Sequence, residues 1–240
     1  QNKPKPMLKF NKIFFLQYVI NNFNRYPFNK IYILTNYKNK IIHNKFHNKV
    51  SNLTKIICLK ERKPMGTGGA LLSLKKFKMN DFVLVNGDTI FDINIKNLIN
   101  SLSNNKLGCM ALTSNKKNTS SLKLNNLGLI KNIVCYKKKG NLINGGVYFF
   151  KKSFLNVLPK KFLSLENDVL PKLIKKRLIK GNYYKDFFLD IGTPKYLKNS
   201  GKKLKKYFKR PAAFLDRDGV INYDYGYVHK IKDFIFKKGV

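Results

Sequence analysis

Residues 82–94, FVLVNGDTIFDIN, limit the fold more than any other stretch of the chain. Phe82 to Val85 are four apolar residues in a row. An exposed strand would alternate with polar residues, so the run predicts a buried parallel strand. It ends at Asn86-Gly87-Asp88, a turn sequence that leaves a carboxylate just past the C-terminal tip. In open α/β sheets ligands bind in the crevice beyond such tips. A carboxylate there can hold a hard divalent cation, which neutralises phosphate charge. Turn chemistry accounts for the same three residues, so other stretches have to decide.

The remaining pattern alternates. An apolar periodicity over 11–24 predicts a helix, Ile31 to Thr35 a strand, 38–49 a basic helix and Lys55 to Leu59 a strand. Gly66, Gly68 and Gly69 form a Gly-rich turn opening a helix, where backbone amides can approach a nucleotide. After the central strand come a helix near 94–104, a strand at Gly108 to Thr113, a polar loop over 114–126, and strands around 127–136 and 145–150. Ser164 is a plausible N-cap for a helix reaching about 179. Tyr183 to Leu189 reads as a strand ending in a second acidic tip, Asp190-Ile191-Gly192-Thr193-Pro194, with Pro194 suited to the first turn of a helix near 195–207. Such alternation indicates an α/β sheet covered by helices. Gly201 to Arg210 reads as a basic hinge, after which Ala212 to Leu215 begins a new strand.

Charge narrows the function classes. The 240 residues carry 49 Lys and Arg against 12 Asp and Glu, a net +37. Nearly all the excess is Lys, spread along the chain with abundant Asn and Ile, as an AT-rich genome would encode. A nucleic-acid reader would concentrate Arg and aromatics on one face. The expectation is weak, salt-sensitive sticking without a specific nucleic-acid partner. No apolar run is long enough to span a bilayer and no secretory signal opens the chain, so a cytoplasmic protein with no membrane role is expected. Cys58, Cys109 and Cys135 lack metal-ligand spacing, and Cys58 and Cys109, in apolar strand-like runs, read as buried thiols. His43, His47 and His229 are isolated and receive no catalytic role.

Two carboxylates at strand tips within one sheet, Asp88 and Asp190, could clamp one Mg²⁺ against phosphates, with Lys5 balancing further charge. Taken singly, a helix-cap Asp and a solvated loop Lys are the blander accounts. In order, PKPM (4–7), MGTGGAL (65–71), VNGDTIFDIN (85–94), NGGVYFF (144–150), SLENDVLPKL (164–173) and FLDIGTPKYL (188–197) resemble the sugar-1-phosphate nucleotidylyltransferases, in particular the branch acting on heptose phosphates. The resemblance covers about 1–207. It implies that Lys5 contacts phosphates and that Gly66, Thr67, Gly68 and Gly69 line the nucleoside pocket. It also implies Asp88 and Asp190 as Mg²⁺ ligands, and Asn144, Gly145 and Glu166 facing the sugar. The implied substrates are a nucleoside triphosphate, GTP in this branch, and a sugar 1-phosphate. Two departures stand out: the family's Gly-rich loop before PKPM is not in this sequence, and IVCYKKK replaces a segment that commonly carries a Glu-Lys pair.

FLDRDGVINYDYGYVHKIKDFIFKKGV (214–240) resembles the opening of haloacid-dehalogenase-type phosphatases of the heptose-bisphosphate and histidinol-phosphate group. Paired carboxylates two residues apart suit phosphoryl transfer: Asp216 as nucleophile, Asp218 as acid and base, and both as Mg²⁺ ligands. The resemblance places any Zn²⁺ beyond residue 240.

The combined expectation is an α/β fold: a Rossmann-like, mixed and mostly parallel sheet with helices on both faces over 1–207, then the first strand and loop of a dehalogenase-like α/β domain over 208–240. The first residue is Gln1, and both ends read as truncated parts of a bifunctional enzyme. That enzyme would activate a heptose 1-phosphate and dephosphorylate a heptose 1,7-bisphosphate. Competing expectations are a hexose- or mannose-phosphate enzyme joined to a phosphatase of other specificity, a basic module for RNA or anionic membrane, and a catalytically silent remnant. A homo-oligomer is left open.

Overall fold

The computed structural model describes residues 3–51, 53–61, 63–114, 121–124, 128, 130–134, 142–192, 194–209 and 213–240. Cys135, most of the polar loop expected at 114–126 and parts of the strand expected at 127–136 lie outside them. The chain divides into two compact units, Gln1–Lys203 and Leu204–Val240.

In the first unit, Lys5–Met7 form one 3₁₀ turn, and β1 (Lys9–Phe10) and β2 (Ile13–Phe14) make a hairpin leading into α1 (Phe15–Phe23). The helix expected over 11–24 therefore starts four residues late. Asn11 (φ 49°) and Lys12 (φ 68°) take the left-handed conformations that a two-residue hairpin turn requires. β3 (Lys30–Thr35), α2 (Asn39–Phe46), β4 (Val50–Ser51) and β5 (Thr54–Lys60) follow. β5 pairs with β3 in parallel and with β4 antiparallel. The Gly-rich turn is a single helical turn, α3 (Gly66–Gly69), continued as 3₁₀ through Ala70–Lys76.

The larger sheet is built from β6 (Phe82–Val85), β8 (Gly108–Ser114), β9 (Ser121–Leu124), β10 (Ile130–Val134), β11 (Leu142–Phe150) and β12 (Ile179–Tyr183). β7 (Thr89–Phe91), α4 (Ile95–Asn100), α5 (Leu170–Lys175) and β13 (Phe188–Asp190) complete the unit, with α6 (Pro194–Phe208) running out of it. β11 is the hub, antiparallel to β6, β8 and β9, while β12 joins β8 in parallel.

The α/β class is as expected, but strand direction is not. Among the strands of the described residues only β3–β5 and β8–β12 pair in parallel. β6 itself runs antiparallel to β11, and all four of its residues are half-buried. A continuous apolar run reports cover on both faces and carries no information about direction.

The core gathers Leu71, Met110, Leu112, Tyr148, Leu165 and Leu173 around a stack in which Phe150 lies 3.9 Å from Phe154 and 5.6 Å from Tyr148 between ring centroids. Burying each large side chain contributes about 1.5–3 kcal/mol. Cys58 and Cys109 are free and buried, as read from the sequence.

Three further expectations are corrected. Tyr183 to Leu189 is two strands, because the chain leaves the β8 ladder at Tyr183 and pairs with β7 from Phe188. The basic hinge at 201–210 is helical as far as Phe208. Leu197, Ser200, Leu204 and Phe208 recur at helical spacing, and Ser200 and Leu204 are fully buried. In the second unit, Ala213 to Leu215 form no strand, and Phe214 is 96% exposed. An apolar run becomes a strand only against a partner, and the bridges of this unit pair Asn222 with Asp218 and Phe236 instead. No helix among the described residues is long and apolar enough to cross a membrane.

Gly108 has no room for a side chain: a Cβ there would overlap the Phe150 ring and meet Phe149 O at 2.7 Å. Gly108→Ala is expected to lose about 1–3 kcal/mol of stability, read as a lower urea midpoint with an unchanged slope.

Candidate active site

The site begins where β6 stops. Asn86-Gly87-Asp88 turns the chain into β7, and β13 pairs antiparallel with β7 so that Asp190 stands opposite Thr89. Asp88 and Asp190 thus meet through this short two-stranded ribbon and not as neighbouring tips of one sheet. Thr89, Ile90, Phe91, Leu189 and Ile191 are all buried, and Ile191 N donates to Asp88 O at 3.0 Å. Gly192 closes the arrangement. A Cβ at this residue would meet Asp190 Oδ1 at 2.8 Å and Asp88 Oδ2 at 3.4 Å, so both carboxylates flank Gly192 and a side chain there would push on Asp190. Gly192 N donates to Asp190 Oδ1, and Lys5 Nζ donates to Gly192 O.

Lys5 comes from the 3₁₀ turn, which is fixed by Met7 N donating to Pro4 O at 2.8 Å. Pro6 Cγ lies 3.5 Å from where a Gly87 side chain would begin. Lys5, Asp88 and Asp190 therefore converge from distant segments, Lys5 meeting Gly192 across 187 residues of sequence. Burial, then the Asp190 carboxylate, hold the Asp88 carboxyl above its ordinary range, with Glu166 adding to the push and Lys5 opposing it. Two carboxylates around a partly desolvated point suit a hard dication, which would remove the repulsion each exerts on the other. Among the described residues no three His, Cys, Asp or Glu are grouped so that they could hold a metal ion by themselves. Phosphate oxygens or water would have to complete the coordination of such an ion.

The Gly-rich turn packs on the segment before α5. Gly66 (φ +76°) would meet Leu163 O at 2.5 Å through a Cβ, and the Gly68 and Gly69 amides both donate to Leu163 O, at 2.9 and 3.2 Å. These two amides are thus engaged by the protein, and Gly68 and Gly69 are buried. What the turn offers outward is Thr67. Its Oγ1 donates to Glu166 Oε2 at 2.7 Å and accepts from Leu165 N at 2.9 Å. Ser164 is the expected N-cap, accepting from Asn167 N at 3.1 Å, but the turn it opens, Leu165–Val169, is π-helical. Such turns are frequent at functional sites, and this one carries Glu166.

Asn144 and Gly145 lie at an irregularity of β11, where the register with β8 shifts between Asn144 and Tyr148. Asn144 donates to the buried Tyr148 hydroxyl and accepts from Gly146 N at 3.0 Å. Gly145 is packed against the Phe91 ring and Ala111 O, and Gly146 (φ +69°) against the Asn86 amide. Asn86 N also donates to Gly146 O at 2.8 Å, locking the bulge onto the Asp88 turn. Asn86 was read only as part of a turn, and Gly146, Tyr148 and Gly192 received no role from sequence; the Gly two residues past an acidic strand tip was the available signal for the last.

In the second unit, Asp216 is exposed and accepts from Arg217 N at 2.8 Å. Asp218 takes a two-pronged bond from Arg217, at 2.9 and 2.7 Å, and a third from Asn222 at 3.0 Å. These bonds hold its carboxyl below the ordinary range, as an ionised acceptor and not as a proton donor.

A family model described as nucleotidyl transferase matches residues 1–206. Among curated proteins, the D-glycero-alpha-D-manno-heptose 1-phosphate guanylyltransferase of Campylobacter jejuni is 32% identical over 197 residues, covering 80% of this chain and 86% of that protein. The bifunctional protein GlmU of Methanococcus aeolicus is 32% identical over 209 residues, 81% of this chain but only 47% of its own length. Among solved structures, HddC from Yersinia pseudotuberculosis complexed with GMP-PN superposes with a TM-score of 0.74 at 25% identity, covering 85% of this chain and 91% of that one.

The electrostatics of Asp88 predict a pH-dependent stability. Its folded carboxyl binds a proton more tightly than the unfolded one, whose ordinary value is 3.8. The group therefore lowers stability as pH rises from 3.8 through the raised folded value, and its full cost stands above both. In chelator at pH 7, Asp88→Asn is expected to melt above the parent chain, and the gap is expected to close as pH drops below 3.8. An equal or lower melting temperature at pH 7 would contradict the repulsion.

Proposed function

The chain belongs to the nucleotidyl transferase family, and from that premise we propose that it transfers a guanylyl group from GTP to a heptose 1-phosphate, releasing pyrophosphate. The observation that carries the reading is the convergence of Lys5, Asp88 and Asp190 around Gly192. The guanine and heptose assignments are supported by the names of relatives and by the GMP-PN complex of HddC.

In this reading a phosphate oxygen of the sugar 1-phosphate attacks the α-phosphorus of GTP, a new P–O bond forms, and the bond to the β-phosphate oxygen breaks with its electron pair leaving on pyrophosphate. The protein needs no covalent nucleophile; it positions and neutralises. Asp88 and Asp190 would hold Mg²⁺, which supplies charge neutralisation to the phosphates when bound. Lys5, anchored on Gly192 O, presents an ammonium beside the same point. Glu166, steadied by Thr67 and Ser164, and Asn144, steadied by Tyr148, would hold sugar hydroxyls. A cytoplasmic location accompanies the reading.

For residues 208–240 we propose the phosphatase reading on the order FLDRDGVINYD, with exposed Asp216 as the nucleophile. The Arg217 clasp on Asp218 would have to open before that carboxyl could deliver a proton. Loss of heptose 1,7-bisphosphate hydrolysis in Asp216→Asn is the result that reading requires.

The transferase is tested by pyrophosphate release from GTP with heptose 1-phosphate, mannose 1-phosphate or N-acetylglucosamine 1-phosphate as acceptor. Release is expected with the heptose, and Lys5→Ala or Asp88→Ala should lower it by about 10²–10³-fold while the fold is kept by circular dichroism. Release with hexose phosphates alone would replace the heptose assignment. Release with none of them, from folded protein, would overturn the transferase reading for this chain.

A further inference from the structure

Resting on the transferase reading, we propose that Thr67 is a positioning residue for the sugar 1-phosphate. With Ser164 it fixes one oxygen of Glu166 and leaves the other to accept a sugar hydroxyl. Counting protons sets the direction of each bond, because a hydroxyl has one proton to give and a backbone N–H can only donate. Leu165 N donates to Thr67 Oγ1 at 2.9 Å, so the Thr67 proton goes elsewhere, and Glu166 Oε2 receives it at 2.7 Å. Ser164 repeats the pattern. Asn167 N donates to its Oγ at 3.1 Å, and its own proton reaches the same Glu166 Oε2 at 3.3 Å. Two hydroxyls thus converge on Oε2, and no hydrogen bond from the described residues reaches Oε1.

Both hydroxyls sit on tied backbone. Ser164 N donates to Asp168 Oδ2 at 2.7 Å, closing the start of the π-helical turn. Thr67 is held between Gly68 N, which donates to Leu163 O, and Met65 O, which accepts from Leu163 N, both at 2.9 Å. A Cβ on Gly68 would stand 3.1 Å from Leu165 N, so the glycine lets the turn come close enough for the Thr67–Leu165 bond. Thr67 and Glu166 are 99 residues apart in sequence, and only this packing brings them together. The Glu166 charge acts on both the Asp88 carboxyl and the Tyr148 hydroxyl, which places it within electrostatic reach of the carboxylate pair and of the partner of Asn144. Neutral hydroxyls hold the carboxylate without cancelling its charge, as an ammonium would. An ionised oxygen is the stronger acceptor for a hydroxyl.

The test is calorimetric titration of the 240-residue chain with heptose 1-phosphate, GTP and inorganic phosphate, each with Mg²⁺ at salt high enough to suppress nonspecific binding to so basic a surface. Thr67→Val keeps the shape of the side chain without a proton to give, and Thr67→Ser keeps the proton. Heptose 1-phosphate is expected to bind about 10-fold more weakly to Thr67→Val and as the parent does to Thr67→Ser, with GTP and inorganic phosphate unchanged in both. Adding Thr67→Val to Glu166→Ala should cost nothing further. Unchanged heptose 1-phosphate binding in Thr67→Val would overturn the inference and leave the transferase reading standing. A loss confined to GTP would do the same and make Thr67 a wall of the nucleoside pocket. Equal losses of heptose 1-phosphate and GTP, or the same loss again in the Glu166→Ala background, would make Thr67 a structural residue only. Failure of the parent chain to bind GTP and heptose 1-phosphate more tightly than inorganic phosphate would overturn both readings.

Discussion

Two negative charges held against each other at the end of a three-residue ribbon set the terms for the rest of the first unit. The β7–β13 pairing puts Asp190 across from Thr89 and therefore beside Asp88. Burial of the ribbon's apolar residues supplies the free energy that keeps the carboxylates together. Around that point each partner is forced into one form. A side chain at residue 192 would displace the Asp190 carboxylate, whose oxygen lies 2.8 Å from where a Cβ would stand. Lys5 must come from a stiff, proline-flanked turn, because its ammonium has to reach the Gly192 carbonyl from a distant part of the chain. Part of the repulsion that remains is what a dication would relieve, so the same geometry that weakens the free protein favours a metal-phosphate ligand.

The other substrate side is built on a second set of constraints that share parts with the first. The β11 bulge at Asn144 to Gly146 is locked onto Asn86, one turn from Asp88. The π-helical turn at Leu165–Val169 is locked onto the Gly-rich turn by Leu163 O and Thr67. Glycines in both places serve close packing of backbone on backbone. The amides of Gly68, Gly69 and Gly146 are bonded within the protein and are not kept open to a ligand. A mutation at Gly68 would therefore act on Glu166 through displacement of the segment it packs on, without any direct contact with substrate.

What could be read in the sequence divides along physical lines. Element positions were legible where apolar spacing was strong: β3, β5, β6, α2, α6 and the Ser164 cap all fall where the pattern placed them. Asp88, Asp190 and Lys5 were named in advance, and the structure brings them together. Strand direction was not legible, because it depends on the path of connections between strands and not on any strand's own residues. The split at Tyr183 to Leu189 was missed for the same reason: each half is a strand only by virtue of a different partner. The bulge glycine Gly146 and the clamp residue Gly192 were hidden because their role is fixed by atoms contributed from elsewhere in the chain. The run before Asp216 failed in the opposite sense, with strand-like residues but no pairing to make them one.

Acid scarcity adds a last step. With 12 carboxylates against 49 cationic side chains, the acids cannot serve to balance charge. In the first unit they act one at a time as placed acceptors: Glu61 for Asn36 and Met65, Asp81 for Lys152 N, Asp92 for Arg25, Glu166 for Thr67, Asp168 for Ser164 N. Each of these bonds joins two separate elements or closes a helix start, where an ionised acceptor is stronger than a neutral one. Asp88 departs from that pattern. Its carboxylate is set against a second carboxylate in a chain with cations in fourfold excess, and the pull of Lys5 does not offset burial and that second charge. In so basic a protein a like-charge acidic pair is the least expected arrangement by composition. Its presence beside Lys5 is what a polyphosphate carrying its own dication would complement on both counts.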